Sequence, residues 1–183
     1  MALINRGITK TDKIAFSGQN SIQHSILRFV CFFMGNTFMT LSPTFEKYEV
    51  EQEVRDVGIN IIFSSAQALH KFEGVLDNEK INIKLIVVFD GKHDKYMTFD
   101  KLLEEGRDQT LDRIPYFDIN PETDMAFLIH TSGSTGRPKC AMMSHKALIN
   151  VTHGVQDWLT LDNSKKGSKC VLTFSTIKTM IYT

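Results

Sequence analysis

The densest group of phosphate-binding side chains in this sequence lies in nine consecutive residues, Thr131 to Lys139. They read Thr-Ser-Gly-Ser-Thr-Gly-Arg-Pro-Lys, with four hydroxyl side chains, two glycines and a terminal lysine. Hydroxyls and exposed backbone N–H groups donate hydrogen bonds to phosphate oxygens, glycines allow the backbone to turn tightly, and an ammonium group adds a compact positive charge. The composition therefore predicts a phosphate-binding loop, and an ordinary solvated Gly/Ser/Thr loop is the alternative.

The flanking residues indicate how the loop is held. Met125 to Ile129 form a short apolar run, typical of a buried strand that leads into the loop. Pro138 lacks an N–H and favours extended geometry in the residue before it, so we expect the chain to leave as a strand, Ala141 to Met143. The predicted shape is strand–loop–strand.

The spacing excludes a Walker A loop. That motif has four residues between its two glycines, followed by lysine and Ser/Thr at the start of a helix. Here two residues separate Gly133 from Gly136, and a proline precedes the lysine.

The loop resembles the first signature of the adenylate-forming superfamily, which includes acyl-CoA synthetases, 4-coumarate–CoA ligases and beetle luciferases. That signature is Thr-Ser-Gly-Ser/Thr-Thr-Gly-x-Pro-Lys-Gly, followed shortly by a Ser/Thr-His pair, which Ser144-His145 matches. Weaker similarity extends over almost the whole chain, through Gly35–Pro43, Glu46–Val57, Ile61–Phe63, Lys84–Phe89 and Pro121–Ala126. Within the superfamily the chain is most similar to the 4-coumarate–CoA ligase and luciferase-like branch.

Two residues depart from the family pattern. Cys140 stands where relatives usually have glycine, and His130 stands where an aromatic residue is commoner. If the backbone at position 140 required a positive φ, a Cβ there would cost about 1–2 kcal/mol and would shift the loop.

The resemblance implies an ATP-dependent carboxylate–CoA ligase. In such enzymes a fatty or aromatic acid attacks the α-phosphate of Mg²⁺-ATP, pyrophosphate leaves, and the thiol of coenzyme A then displaces AMP. The loop would hold the β- and γ-phosphates and supply no acid, base or nucleophile, so no catalytic residue and no metal ligand is assigned. The residues expected to bind ATP are Thr131, Ser132, Gly133, Ser134, Thr135, Gly136 and Lys139.

Composition narrows the function classes further. The chain has 183 residues, of which 42% are hydrophobic, and its 21 basic and 21 acidic residues give a net charge of zero. No basic stripe with interleaved aromatics is present, so nucleic-acid binding is not expected. The longest strongly apolar run, Phe29 to Gly35, is too short to span a membrane, and no secretion signal precedes it.

The cysteines and histidines indicate a reducing compartment and no metal site. Cys31, Cys140 and Cys170 are odd in number and far apart, and the six histidines lack metal-ligand spacing. We therefore expect an intracellular protein, peroxisomal or cytoplasmic. His145 is expected to pack or to cap a helix near the loop.

Hydrophobic period and turn residues predict an α/β fold, a layered and mostly parallel sheet with flanking helices. The helix after Ser21 is apolar all round, so we expect it to be buried between layers. The predicted strands are Lys13–Phe16, Phe38–Leu41, Ile59–Phe63, Ile83–Phe89, Met125–Ile129, Ala141–Met143 and Cys170–Phe174. Asn20-Ser21 is predicted to cap a helix that runs to about Gly35, and Gly58 to end a helix over Glu46–Val57. The other predicted helices are Ala66–Phe72, Thr98–Glu105 and Lys146–Trp158.

The same resemblance makes residues 1–183 part of an N-terminal adenylation domain, without the C-terminal domain of full-length relatives. The adenine, ribose, Mg²⁺ and acyl-group contacts of the family lie further along its chains. We therefore expect a fragment, a truncated isoform or an incomplete gene model, inactive alone. Two alternatives to a ligase segment stay open: a non-catalytic nucleotide-binding module, which could associate with a full-length paralogue, and a fragment without function.

Overall fold

Five parallel strands organise the first 119 residues, and an antiparallel hairpin organises the residues that follow. A computed structural model describes residues 1–42, 44–76, 78, 81–107, 114–131 and 139–160, with only the backbone for residues 131 and 154–160. The chain forms two compact units, residues 1–119 and 120–183. The predicted strand Cys170–Phe174 lies outside the described residues.

The first unit is a parallel sheet in the order β5-β4-β3-β1-β2, which confirms the predicted α/β class. Strand β1 lies between β2 and β3, with Ile14 paired to Phe38 on one side and to Ile61 on the other. The chain elements are α1 (Ala2–Asn5), β1 (Lys13–Ser17), α2 (Ile22–Met34), β2 (Thr37–Leu41), α3 (Lys47–Val57), β3 (Ile61–Ser64), a 3₁₀ turn (Leu69–Phe72), α4 (Glu73–Leu76), β4 (Leu85–Val88), β5 (Met97–Thr98) and α5 (Phe99–Arg107).

The direction of chain progression reverses after β2. The connection from β1 to β2 runs to one side, whereas β3 and β4 follow on the other side of β1. Right-handed crossovers therefore place α2 on one face of the sheet and α3 and α4 on the opposite face. Helices α3 and α4 accordingly contact each other.

Helix ends follow the sequence signals closely. The Ser21 hydroxyl accepts a hydrogen bond from the His24 N–H at 3.1 Å, so it caps α2 as predicted. Helix α3 begins with a capping box in which the Glu46 N–H donates to the Glu49 carboxylate at 2.7 Å. Gly35 and Gly58 end these helices with φ of 76° and 74°, a conformation that a Cβ would strain.

Two sequence predictions in this unit are wrong. The segment predicted as helix Ala66–Phe72 is a turn followed by a single 3₁₀ turn, and the short α-helix begins only at Glu73. Helix α2 is not buried on all sides, because it packs one face on the sheet. Four apolar side chains on the other face are 41–76% exposed, and they are Ile22, Ile26, Phe29 and Phe33.

A polar network around the buried carboxylate of Asp12 joins the amino ends of four strands. The residues immediately before β1, β2, β3 and β4 are Asp12, Asn36, Asn60 and Lys84. The Asp12 carboxylate is fully buried and accepts hydrogen bonds from Asn60 Nδ2 at 2.6 Å and Lys84 Nζ at 2.5 Å. The Asn36 side-chain amide donates to the Asp12 carbonyl at 2.9 Å.

The protonation of Asp12 is set by these contacts. Burial alone would raise the pKa of its carboxyl group, but hydrogen bonds from Lys84, from the Thr9 N–H and from Asn60 outweigh burial and lower that pKa. The carboxylate therefore stays ionised and holds the strand starts in register.

His24 is a second buried titratable group of this unit. Its ring stacks on Phe16 with centroids 4.3 Å apart, and its Nε2 lies 3.3 Å from the Thr40 hydroxyl. Burial, with a smaller contribution from the charge of Arg28, lowers the pKa of His24 to about 4. The folded protein thus holds the neutral imidazole.

Among the described residues, no helix is both long and apolar enough to cross a bilayer.

We predict that replacing Asp12 with Ala lowers the free energy of unfolding by roughly 2–4 kcal/mol, because the hydrogen bonds that Thr9, Asn60 and Lys84 donate to a buried, charged acceptor are lost. Urea titration measures this change. Lys47→Ala is the control, since its ion pair with Glu73 is exposed and contributes little. Equal destabilisation by the two substitutions would contradict a central role for Asp12.

We also predict that acid weakens the fold through His24. Because the folded-state pKa of about 4 lies below the usual 6.5, the unfolded chain binds the proton first as pH falls. The contribution of His24 to stability is therefore constant above pH 6.5 and decreases between 6.5 and 4, by about 3 kcal/mol in total. His24→Phe should remove this part of the slope in urea titrations at several pH values and leave the smaller part due to His145, whereas His70→Gln, at an exposed site, should leave the whole slope unchanged.

Candidate functional site

The predicted phosphate loop connects two paired strands. Strand β6 (Met125–Thr131) and strand β7 (Lys139–Ser144) are antiparallel, which confirms strands on both sides of the loop. Thr131 pairs directly with Lys139, so the ends of the nine-residue segment lie side by side. The hairpin therefore closes the loop at its base.

The structure places two of the seven predicted site residues. Lys139 is the first residue of β7, and it is exposed. The backbone of Thr131 ends β6 on the adjacent strand. The other five lie outside the described residues, and they are Ser132, Gly133, Ser134, Thr135 and Gly136.

The backbone strain considered at Cys140 is absent. Cys140 lies within β7 in register with His130, and no described non-glycine residue has a positive φ. The strand geometry therefore accommodates a Cβ at this position without the cost that a left-handed conformation would impose.

A turn at residues 120–124 holds the far end of the hairpin. The Asp124 carboxylate accepts a hydrogen bond from the Asn120 N–H at 3.0 Å, and the Asn120 side chain accepts one from the Glu122 N–H at 3.1 Å. This pattern is an Asx-type turn, in which short polar side chains fix their own backbone. Strand β6 begins at Met125, the residue that follows this turn.

The same turn also anchors helix α6 (His145–Thr160). Two N–H groups of its first residues, His145 and Lys146, donate to the carbonyls of Asp124 and Pro121 at 3.2 and 2.9 Å. The Lys146 ammonium also contacts Glu122 Oε1 at 2.5 Å. This anchoring role was not predicted from the sequence, although the Asn-Pro-x-x-Asp pattern of residues 120–124 is a recognisable turn signal.

His145 lies far from the loop. It follows β7 at the end opposite Lys139, which is about 17 Å along an extended strand of this length. Its side chain is 8% exposed, and burial lowers its pKa while the charge of Asp124 acts in the opposite direction. The expectation that His145 packs is confirmed, but its predicted position near the loop is wrong because β7 separates the two.

The chemistry available at the described part of the loop is electrostatic. The described lysines of the hairpin and of α6 are Lys139 at the loop and Lys146 at the opposite end, beside Glu122. Strands β6 and β7 contain no acidic residue. An anion at the loop would therefore meet a positive charge without a competing carboxylate on either strand.

Within the described part of the chain, no group of three or more His, Cys, Asp or Glu side chains could hold a metal ion.

Comparisons with known proteins agree with the family resemblance and with the fold. The family model described as "AMP-binding enzyme" matches residues 1–179. Among curated proteins, zwittermicin A synthase ZmaJ of Bacillus cereus is 28% identical over 123 residues, covering 67% of this chain and 19% of that protein. An indoleacetate–CoA ligase of Aromatoleum aromaticum is 27% identical over 147 residues, covering 80% of this chain and 28% of that ligase.

A solved structure of a related enzyme has the same fold over most of this chain. The luciferase-like enzyme from the nonluminescent mealworm Zophobas morio superimposes with a TM-score of 0.72 and 27% sequence identity. The match covers 82% of this chain and 34% of that enzyme. This chain thus spans about one fifth to one third of the length of these three proteins. On the family match across residues 1–179, together with the loop signature, the chain belongs to the AMP-binding enzymes of the adenylate-forming superfamily.

Proposed function

We propose that this chain is the phosphate-binding part of an ATP-dependent carboxylate–CoA ligase that activates a fatty or aromatic acid. The observation that carries the proposal is the pairing of Thr131 with Lys139, which brings together the two ends of a loop rich in hydroxyl groups and glycine. Family membership supports ATP as the nucleotide. The indoleacetate–CoA ligase and a fatty acyl-CoA synthetase of Dictyostelium discoideum support the acid class.

The donor set of the loop fits the phosphates of Mg²⁺-ATP. The residues that would hold the β- and γ-phosphates are Thr131, Ser132, Gly133, Ser134, Thr135, Gly136 and Lys139. When bound, the nucleotide supplies an electrophilic α-phosphorus and a pyrophosphate leaving group. Four hydroxyls and the loop N–H groups suit oxygens that carry negative charge, and an exposed ammonium at the base of the loop adds attraction.

The work of the loop is positioning and charge stabilisation. Donors held in place before the reaction lower the energy of charge that develops on a leaving group, because they need no reorganisation at that moment. The β6–β7 pairing provides such a base for the loop. A carboxylic acid and the thiol of coenzyme A would be the reacting partners.

We predict that Lys139→Ala weakens Mg²⁺-ATP binding by roughly 1–3 kcal/mol, the contribution of one charge-assisted hydrogen bond. Isothermal titration calorimetry on the folded chain measures the affinity. Lys146→Ala is a matched control, because Lys146 lies at the opposite end of the hairpin beside Glu122, and should leave affinity unchanged. Lys139→Arg should retain part of the binding.

The nucleotide site would be contradicted by a double variant, Lys139→Ala with Ser134→Ala, that binds Mg²⁺-ATP as tightly as the native chain. The comparison requires that the variant keep the unfolding transition of the native chain. An equal loss in Lys146→Ala would point to general electrostatics instead of the loop.

We further expect these 183 residues to bind nucleotide without catalysing ATP–pyrophosphate exchange. Holding two phosphates addresses only part of a barrier that enzymes lower by about 8–23 kcal/mol, and the remainder requires alignment of carboxylate and α-phosphate. The assay uses a panel of fatty and aromatic acids, with and without coenzyme A. Exchange above background that Lys139→Ala abolishes would mean that this chain carries a complete adenylation site.

A further inference from the structure

The two departures from the family pattern lie directly opposite each other. His130 of β6 and Cys140 of β7 are Cα partners in the antiparallel pairing. Side chains of directly opposite residues project from the same face of a sheet, with Cβ atoms about 4.5–5.5 Å apart. The register therefore brings an imidazole and a thiol together one residue away from the base of the loop, which neither substitution would achieve alone.

The two side chains differ in solvent accessibility. Cys140 is exposed, so a molecule from solvent can reach its sulfur. His130 is half-buried, and its Nε2 atom is buried. The Nε2 atom of His130 is thus shielded from solvent, while the Cys140 side chain is accessible to it.

The surroundings favour a thiolate. Neither β6 nor β7 contains an acidic residue, and Lys139 precedes the cysteine. Helix α6, which packs on both strands, carries no carboxylate among its described side chains, and its His145 and Lys146 lie at the end of the hairpin opposite Cys140. Glu122 and Asp124 lie at the opposite end of the hairpin, beyond the length of β7, and the positive charge of the adjacent Lys139 lowers the energy of a thiolate.

We propose that Cys140 and His130 form a thiol-modification site that reacts with low-molecular-weight disulfides. The imidazole of His130 accepts the thiol proton, and the Cys140 thiolate attacks one sulfur of the disulfide. The bond between the two sulfurs of the small molecule breaks as a new S–S bond to Cys140 forms. The second half leaves as a thiolate, and a small thiol in excess reverses the exchange.

The modification has a consequence for the loop. A group attached at Cys140 lies next to Lys139 in sequence and next to the predicted phosphate site. With glutathione as the attached group, added negative charge would oppose the nucleotide phosphates. This second step depends on the proposed nucleotide site, whereas the exchange reaction itself does not.

Oxidised glutathione and intact-protein mass spectrometry test the reaction, with peptide mapping to locate the adduct. The adduct should form on Cys140, be removed by dithiothreitol, and be absent from Cys140→Ser. Cys31 should remain unmodified in the folded chain, because it is buried and burial raises its pKa.

The role of His130 is tested by the rate of exchange near neutral pH. Replacing His130 with Gln should slow modification of Cys140 by at least about threefold. A thiol pKa that is one unit higher lowers the thiolate fraction about tenfold, and the greater nucleophilicity of that thiolate offsets only part of this loss. The pH midpoint of the reaction should rise toward about 8.5, the value of an ordinary thiol. His153→Gln, which changes an exposed histidine of α6, should leave rate and midpoint unchanged.

The outcomes separate the two proposals. Equal rates in the native chain, His130→Gln and His153→Gln would overturn the paired site, as would an adduct that maps only to another cysteine. Calorimetry of Mg²⁺-ATP before and after modification forms the second arm, where we expect at least a tenfold weaker affinity in the adduct. Absence of binding before modification would refute the nucleotide site while the exchange result stands.

Discussion

The buried carboxylate of Asp12 is the contact on which the parallel sheet depends. Each of the first four strands begins just after a polar residue, and three of those residues bond to Asp12, two of them to its carboxylate. A parallel strand cannot be aligned by a short hairpin, because its neighbour returns only after a long crossover. Side-chain bonds at the amino edge supply the alignment that local turns supply elsewhere. A buried carboxylate is tolerated there because Lys84, Asn60 and Thr9 satisfy it.

In the second unit, residues 120–183, the two strands are aligned by the short connection between them. Strands β6 and β7 are joined by the loop itself, so their pairing fixes which residues lie at its base. The turn at residues 120–124 and the start of α6 hold the other end through backbone bonds from His145 and Lys146. The pairing at one end and the turn at the other therefore fix the backbone of Lys139 beside that of Thr131.

Most strands were predictable from the sequence, because buried parallel strands are short apolar runs bounded by turn residues. Ser21, Gly35 and Gly58 marked helix ends correctly, since capping depends on a few neighbouring atoms. Prediction failed where local signals were weak. Residues 66–72 contain helix-forming side chains but have no helix beyond one 3₁₀ turn, and the apolar composition of α2 did not reveal that Ile22 and Phe33 are exposed.

Residue types and their spacing over a few positions were enough to predict the α/β class and the helix caps, and they led to the hypothesis of a phosphate-binding loop between two strands. Tertiary structure decided which distant residues meet. Nothing in the spacing indicated that Asp12 receives Lys84 from 72 positions away, or that His130 faces Cys140. Register between strands is a property of the paired backbones, and a shift by one residue would place every side chain on the other face.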